Sequence, residues 1–218
     1  MKSNICKLNE DLTCLDAVLA EVEKVAVYNG LEEKKTLRLR LLAEELCGML
    51  PGLVENFSGK FWAVSEDKNY ELHVELMAED MNLELREELI SVSKSGKNAA
   101  AKGIMGKIRA VAETMLLVAS DPSLAPQLPA GEFYDYYGYN IGFGYIDPEI
   151  ACNTEYMYSW SLCNYKSAVE ANEDDAFDEL ERSIVAKLAD DIIVGVRGNN
   201  VEIVVKKSFG VLYDFIKG

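Results

Sequence analysis

Two strand–turn–strand segments constrain the fold of this chain more than any other feature of its sequence. In the first, the run Phe61–Ser65 and the alternating apolar and polar residues Tyr70–Leu76 flank the turn Glu66–Asn69. In the second, the turn Arg197–Asn200 separates the apolar runs Ile192–Val196 and Val201–Lys206. A period of two is typical of strands, and short polar turns join antiparallel neighbours. The pattern predicts two hairpins, the first of which turns three side chains inward: Leu72, Val74 and Leu76.

Apolar residues at spacings of three and four predict helices around these hairpins. The first helix covers residues 9 to 27 and stops at Asn29-Gly30, and the second runs from about Leu31 to Leu50 and stops at Pro51-Gly52. Three more are expected, over about 82–93, over about 104–119 and from Asn172, the last burying Phe177, Leu180, Ile184 and Leu188. This order predicts a two-layer α/β sandwich of the α+β type, with a mixed, mostly antiparallel sheet and helices packed on one face.

The composition fits one cytoplasmic domain. With 218 residues and 49% hydrophobic content the chain can bury a full core, so we expect a single domain over 1–218. Its 22 basic against 37 acidic residues give a net charge of -15, which argues against a general nucleic-acid binder. No apolar run approaches the roughly 20 residues that span a bilayer, and the first residues lack the apolar centre of a signal peptide. We therefore expect neither a nucleic-acid nor a membrane partner.

An aromatic-rich insertion is expected at about residues 120–170. Prolines break regular structure from Asp121 to Gly131, and this range holds eight of the eleven tyrosines. Such side chains stack on an adenine, meet a protein partner, or pack a loop-rich segment. Because no pattern for base recognition is present, packing is the simplest interpretation.

The cysteines and the single histidine do not form a recognisable site. The five cysteines include no Cys-x-x-Cys pair, which predicts reduced structural thiols and no metal site. His73 shares the outward face of its strand with Glu71 and Glu75, where it is either a solvated side chain or a general base. No nucleophile or orienting partner is near it in sequence, and this favours the solvated position.

The second helix carries an acidic pair, Glu44 and Glu45. Glu44 lies one turn from Arg40 and can pair with it in solvent. Glu45 follows Leu42 by three residues and precedes Met49 by four, which places it toward the apolar side. Because burial of an unpaired carboxylate is costly, we expect Glu45 either at the edge of the apolar stripe or in a chemical role.

A glycine-bearing loop, Ser95–Gly106, follows later in the chain. Its small residues and two lysines, Lys97 and Lys102, with Lys94 directly before it, suit either a lid over phosphates or a plain surface linker. The helix with Glu45, the strand leading to Asp80 and this loop together resemble the ATP-binding domain shared by gyrase B, the heat-shock chaperone, histidine kinases and MutL (GHKL). The anti-sigma serine kinases are the members nearest in size. The resemblance covers about residues 31–119 and the last hairpin.

The resemblance implies a Bergerat-like fold, an ATP cofactor with magnesium, and a role for each matched residue. Glu45 would be the catalytic base for attack on the γ-phosphate, and Asp80 would bind adenine. Four residues would form the lid on the phosphates: Lys97, Lys102, Gly103 and Gly106. The sequence departs from the family at Met49, where an asparagine would hold magnesium, and after Asp80, where two glycines are missing. A thioether is a poor magnesium ligand.

Three classes of function remain open from the sequence. The first, which we favour, is a regulatory module of the GHKL ATPase type that binds a protein partner and has degenerate ATP and magnesium motifs. The second is an active ATP-dependent serine or histidine kinase, or an ATPase, with Glu45 as general base. The third is a structural or assembly domain without nucleotide. A homodimer is compatible with each of them.

Overall fold

The computed structural model describes residues 1–9, 11–52, 57–78, 158–172 and 183–210. It also describes residues 104, 108, 111–113, 115, 116 and 119. The helices and strands in chain order are β1 (Cys6–Leu8), α1 (Leu15–Tyr28), α2 (Glu33–Gly48), β2 (Phe57–Glu66), β3 (Asn69–Ala78), β4 (Tyr158–Ser161), α3 (Leu162–Asn172), α4 (Ile184–Leu188), β5 (Asp191–Arg197) and β6 (Asn200–Ser208). A 3₁₀ turn, Leu50–Gly52, follows α2, and the described positions between 104 and 119 are helical.

The strands form one sheet with the order β1-β2-β3-β6-β5-β4, in which every described pairing is antiparallel. Both predicted hairpins are confirmed. Asp67 and Lys68, with φ of 45° and 70°, turn the chain between β2 and β3, and Gly198, with φ of 59°, does so between β5 and β6. These positive φ values give the tight turn that antiparallel neighbours need.

One face of the sheet carries the hydrophobic core. Leu72, Val74 and Leu76 are fully buried, as predicted, and alternate residues of β5 and β6 continue the same face: Ile192, Val194, Val196, Val201, Ile203 and Val205. Residues of α1, α2, α3, α4 and the positions between 104 and 119 belong to the same cluster. The structure is therefore of the α+β class, with its described helices on one face of an antiparallel sheet.

Gly59 of β2 lies close to Glu75 and Leu76 of β3. A Cβ built there would lie 2.6 Å from Leu76 Cδ2 and 2.8 Å from the Glu75 backbone oxygen. Both distances are too short for a side chain, so β2 and β3 pack this closely only because residue 59 has none.

Helix α1 begins at Leu15, later than its apolar periodicity predicts. Leu12 has a φ of 47° and its N–H donates to the Asn9 carbonyl at 3.1 Å, so a turn occupies the predicted first residues. The helix stops where expected, at Asn29 and at Gly30 with its φ of 65°. Its buried residues are Val18, Leu19, Glu21, Val22, Val25 and Ala26.

The N-terminal residues line the free edge of β2, with a bulge that the sequence did not predict. Lys2 bridges to Val64, and Cys6 pairs with Phe61. Between these two pairs, the N-terminal segment has three residues, 3–5, and β2 has only two, 62–63. The additional residue is the mark of a β-bulge, which bends an edge strand and leaves one N–H without a ladder partner.

Glu21 of α1 supplies a partner to this bulge. Its carboxylate accepts the Asn4 backbone N–H at 3.0 Å, the Asn4 side-chain amide at 3.2 Å and the Lys24 ammonium at 2.6 Å. The hydrogen bond from Lys24, and then those from Asn4, hold the pKa of Glu21 below its ordinary value although burial opposes this. An acidic residue on the buried side of α1 thus joins the helix to the sheet edge.

Strand β4 and helix α3 return the chain to the sheet within the range 120–170. Trp160 is buried, with its ring centroid 5.8 Å from that of Tyr165, so this aromatic side chain packs in the core. At the start of α3, Asp191 of β5 accepts the Ser161 hydroxyl at 3.0 Å and the Cys163 N–H at 2.9 Å. A carboxylate at this helix end is electrostatically favourable and ties α3 to β5.

The helix predicted from Asn172 through Leu188 is right only in part: residues Ile184–Leu188 are helical and Leu188 packs against the core, but the helix does not continue through Ser183. Asn172 ends α3, and α4 starts after Ser183, whose hydroxyl oxygen accepts the Ala186 N–H at 3.2 Å. Helix α4 buries Val185 and Ala186, whereas Ile184 is exposed. The new cap resets the phase of the helix, so its inward face is displaced by one residue. Phe177 and Leu180 lie outside the described residues.

The helix predicted over about 104–119 is confirmed at the positions that the structure describes. Ile104, Ile108, Val111 and Met115 are buried in the core, as expected, and Ala112 and Leu116 join them. Val118 and the helix predicted over about 82–93 lie outside the described residues.

Candidate functional site

Helix α2 places Glu45 on its exposed side, which corrects the expectation that this carboxylate faces the apolar side. The buried stripe of α2 contains Leu39, Leu42, Ala43, Leu46 and Cys47. At 3.6 residues per turn, Glu45 lies about 130° around the helix from the centre of that stripe. Met49, which suggested an apolar environment for Glu45, is only partly buried, as is Leu41. A solvated carboxylate needs no ligand to remain ionised there.

The predicted pair between Glu44 and Arg40 is replaced by a contact between helices. Arg40 of α2 forms a salt bridge with Glu23 of α1, and Glu44 is exposed. The Arg40 guanidinium thus links α1 and α2 and does not pair with Glu44 of its own helix. An ion pair at this level of exposure contributes little to stability.

Met49 follows directly after α2, and its N–H donates to the Glu45 carbonyl at 3.3 Å. The residue is half-buried and packs against the hydrophobic core. Position 49 therefore presents a thioether, at the boundary of the core, where the family resemblance implies an amide oxygen for magnesium. Sulfur in this setting acts as an apolar packing atom and is a poor ligand for a hard cation.

The predicted cofactor-binding residues Asp80, Lys97, Lys102, Gly103 and Gly106 lie outside the described residues. Their roles, and the catalytic role of Glu45, stay predictions. Ile104, within the range of the glycine-bearing loop, and Ile108, just after it, are buried in the core.

The described cysteines are free thiols: Cys6, Cys14, Cys47 and Cys163. Burial, reinforced by the nearby Cys14 and Cys6, raises the pKa of Cys47 to about 12. Such a thiol stays protonated at neutral pH and is a poor nucleophile and a poor metal ligand. Among the described residues, no group of three or more His, Cys, Asp or Glu side chains could hold a metal ion.

His73 lies in an arrangement that the sequence did not reveal. Its ring stacks on Trp62 of β2, with centroids 4.9 Å apart and planes 8° from parallel. Its Nε2 lies 3.1 Å from Glu71 Oε2 and its Nδ1 lies 3.3 Å from Glu202 Oε1. The side chain is only 15% exposed, so it is not the solvated position we expected. The alternation of β3 does predict Glu71 beside it, but Glu202 comes from β6 and has no local signal.

Buried carboxylates are a second feature that the sequence reasoning missed. Glu21 and Glu113 are both buried, and both have interaction partners. A signal for Glu21 existed, since it falls between Val18 and Val25 on the apolar stripe of α1.

No protein-family model, no curated protein and no solved structure matches this chain. Within the described residues, no helix has the length and apolar character needed to cross a membrane.

Proposed function

We propose that this protein is a regulatory module of the GHKL ATPase-like type, which binds a protein partner and retains at most a degenerate nucleotide site. The element order supports it, since two helices precede a hairpin and a second hairpin completes an antiparallel sheet with helices on one face. That arrangement is compatible with the Bergerat-like architecture that the sequence resemblance implies.

The state of Met49 is the observation that carries the proposal. Phosphoryl transfer depends on magnesium to neutralise charge between the phosphates, and residue 49 offers a core-packed thioether for that task. The exposed Glu45 also lacks the burial that would tune a general base. Both features favour binding over catalysis.

Exposed apolar side chains on the helical layer support a protein partner. Val27 and Tyr28 at the end of α1 are 70% and 75% exposed, and Leu37 of α2 is 65% exposed. Large apolar side chains at this exposure are characteristic of protein contact surfaces when they occur together. The net charge of -15 favours a partner with a basic surface.

Isothermal titration with ATP, with and without magnesium, tests the proposal together with an assay for ADP release. We expect the wild type to release no ADP and to bind ATP, if at all, with the same affinity in both conditions. Met49→Asn restores an amide oxygen and should make ATP binding magnesium-dependent.

Glu45→Ala and its matched control Glu44→Ala separate the alternatives, because both carboxylates are exposed on α2. Magnesium-dependent ADP release that Glu45→Ala abolishes and Glu44→Ala preserves would establish the kinase or ATPase instead. If neither the wild type nor Met49→Asn gives a heat of binding with ATP, ADP or GTP, the result would favour the third class, a structural or assembly domain without nucleotide.

A further inference from the structure

The solvent side of α2 carries side chains in an order that the hydrophobic core does not explain. These residues recur at spacings of three and four, and they cover roughly 100° of the helix surface, opposite the buried stripe. They are Lys34, Leu37, Arg38, Leu41, Glu45 and Gly48, here called the α2 seam. Leu37 is 65% exposed, and Leu41 is partly buried. An alternation of three and four is the repeat with which one helix packs along another.

The charges of the α2 seam are separated along the helix. Lys34 and Arg38 are exposed in its first half, and Glu45 is exposed in its last turn beside Glu44. Leu41 lies between the two groups. None of these four charged side chains forms an ion pair with a residue in the described part of the chain. The seam thus has a basic end, an apolar centre and an acidic end.

This order of charges is the reverse of the one that a single helix favours. The helix dipole is stabilised by carboxylates at the N-terminal end and by cations at the C-terminal end. In α2 the first turn contains Lys34, with Glu33 as its one acidic residue, and the last turn contains Glu45 and no basic residue. Lys34 and Arg38 also lie four positions apart, where like charges repel. The charges of the seam therefore do not stabilise α2 itself, which points to a partner outside the chain.

A second copy of the chain matches this order. Two α2 helices that pack antiparallel about a two-fold axis at Leu41 place the basic end of each seam on the acidic end of the other. Arg38 precedes Leu41 by one turn and Glu45 follows it by one turn on the same side of the seam, so Arg38 of each copy meets Glu45 of the other. Lys34 then faces Gly48, where an added Cβ would meet nothing within 4 Å, so its long side chain has room. A closed dimer requires such a self-complementary surface.

We propose that the α2 seam is the interface of a symmetric homodimer, in which α2 packs antiparallel on α2 of the second copy. The two Leu41 side chains meet at the axis, Leu37 extends the apolar contact, and the ion pairs between Arg38 and Glu45 fix direction and register. Two chains with a net charge of -15 each repel one another, so their contact needs a surface that offers basic groups. Residues 34–40 contain four of the 22 basic residues of the chain. This inference goes beyond the proposed function and does not depend on nucleotide binding.

Sedimentation equilibrium of the full chain at several concentrations tests the dimer. We expect the wild type to be in equilibrium between monomer and dimer. Arg38→Glu and Glu45→Arg each place like charges opposite one another across the axis, so each alone should weaken self-association at least about tenfold. An equimolar mixture of the two variants should form a heterodimer with about the wild-type affinity, because each introduced charge then faces an opposite one.

Arg197→Glu is the matched control, because it makes the same change of charge at the exposed end of β5 and should leave the dimer intact. Leu37→Gln, at an exposed apolar side chain, should weaken the dimer without altering any charge. A wild type that stays monomeric, or a mixture of the two folded variants that forms no heterodimer, would overturn the proposal. Equal weakening by Arg38→Glu and Arg197→Glu would also overturn it, since the net charge and not the seam would then control association.

Discussion

At the scale of single residues, two buried hydroxyl groups of the sheet differ in how they are satisfied. The Tyr70 hydroxyl is the one buried side-chain polar atom without a hydrogen-bond partner in the described part of the chain, and burial raises the pKa of this group. The Ser65 hydroxyl oxygen accepts the Asn29 side-chain amide at 2.8 Å. A buried hydroxyl without a partner loses its hydrogen bonds to water and forms none within the protein to replace them, which costs free energy.

Tyr70→Phe should therefore leave the free energy of unfolding unchanged or raise it by up to about 1 kcal/mol. The ring and its edge contact with Phe209, 5.6 Å between centroids, are kept. Ser65→Ala is the matched control and should lower stability by about 1 kcal/mol, because it removes a hydroxyl that is bonded. Urea unfolding of the two variants measures both values. A loss of stability in Tyr70→Phe as large as that in Ser65→Ala would mean that the tyrosine hydroxyl has a partner.

Residue-level expectations from the sequence were right where local periodicity decides and wrong where it does not. The inward side chains of the first hairpin follow from alternation alone, and Leu72, Val74 and Leu76 are buried. The exposure of Glu45 and that of His73 each depend on which side of the helix or strand packs against another element. Two residues that flank a helix stripe look alike in sequence, so the exposure of Glu45 required the tertiary contact to be known.

At the scale of elements, Glu21 joins α1 to the N-terminal edge strand. Since its pKa in the folded protein is lowered, the carboxylate contributes stability above its ordinary value of 4.5 and loses that contribution as pH falls through the folded value. The ammonium of Lys24 and the N–H groups of Asn4 lose their acceptor charge when it is protonated.

Glu21→Gln should therefore lower the melting temperature at pH 7, with a cost of about 1–2 kcal/mol for the weakened hydrogen bonds, and this difference should become smaller as the pH falls from 7 to 3. Thermal unfolding followed by circular dichroism at both pH values measures this. Glu44→Gln, which alters an exposed carboxylate of α2, should have little effect at either pH. A Glu21→Gln difference that persists undiminished at pH 3 would show that the charge of Glu21 does not stabilise the bulge.

The boundaries of elements depended on contacts that periodicity does not contain. Helix α2 was predicted to within a few residues because Pro51 and Gly52 stop it locally. Helix α1 begins late because the backbone of Leu12 turns, and α4 begins at Ser183 because that hydroxyl caps it. Strands β1 and β4 were not predicted, since each has four residues or fewer and is fixed by its partner strand.

At the scale of the whole molecule, the sheet order sets where the structure should resist opening. Strands β3 and β6 are paired on both sides and have β2 and β5 as neighbours, whereas β1 and β4 are edge strands. Central strands open only when neighbouring pairs are broken as well.

Native-state hydrogen exchange should show amides from Leu72 to Leu76 and from Val201 to Val205 with free energies of exchange close to that of global unfolding. Amides of β1 and β4 that bond across the edge should exchange through smaller openings. Measurement by NMR at several low denaturant concentrations distinguishes the two classes. Equal protection of β1 and β3 would contradict the order in which the strands are paired.

The sequence by itself determined the two hairpins, the apolar stripes of α1 and α2, and the α+β class, because alternation, helical periodicity and turn residues are local properties of the chain. Only the tertiary structure decided the order of strands, the exposure of Glu45, the packing of Met49 against the core and the contact of His73 with Glu202. Those features join residues that are far apart in sequence, with no short-range pattern that specifies them. Pairing between strands and packing between layers select one arrangement of the elements, because local sequence patterns do not distinguish among the possible arrangements.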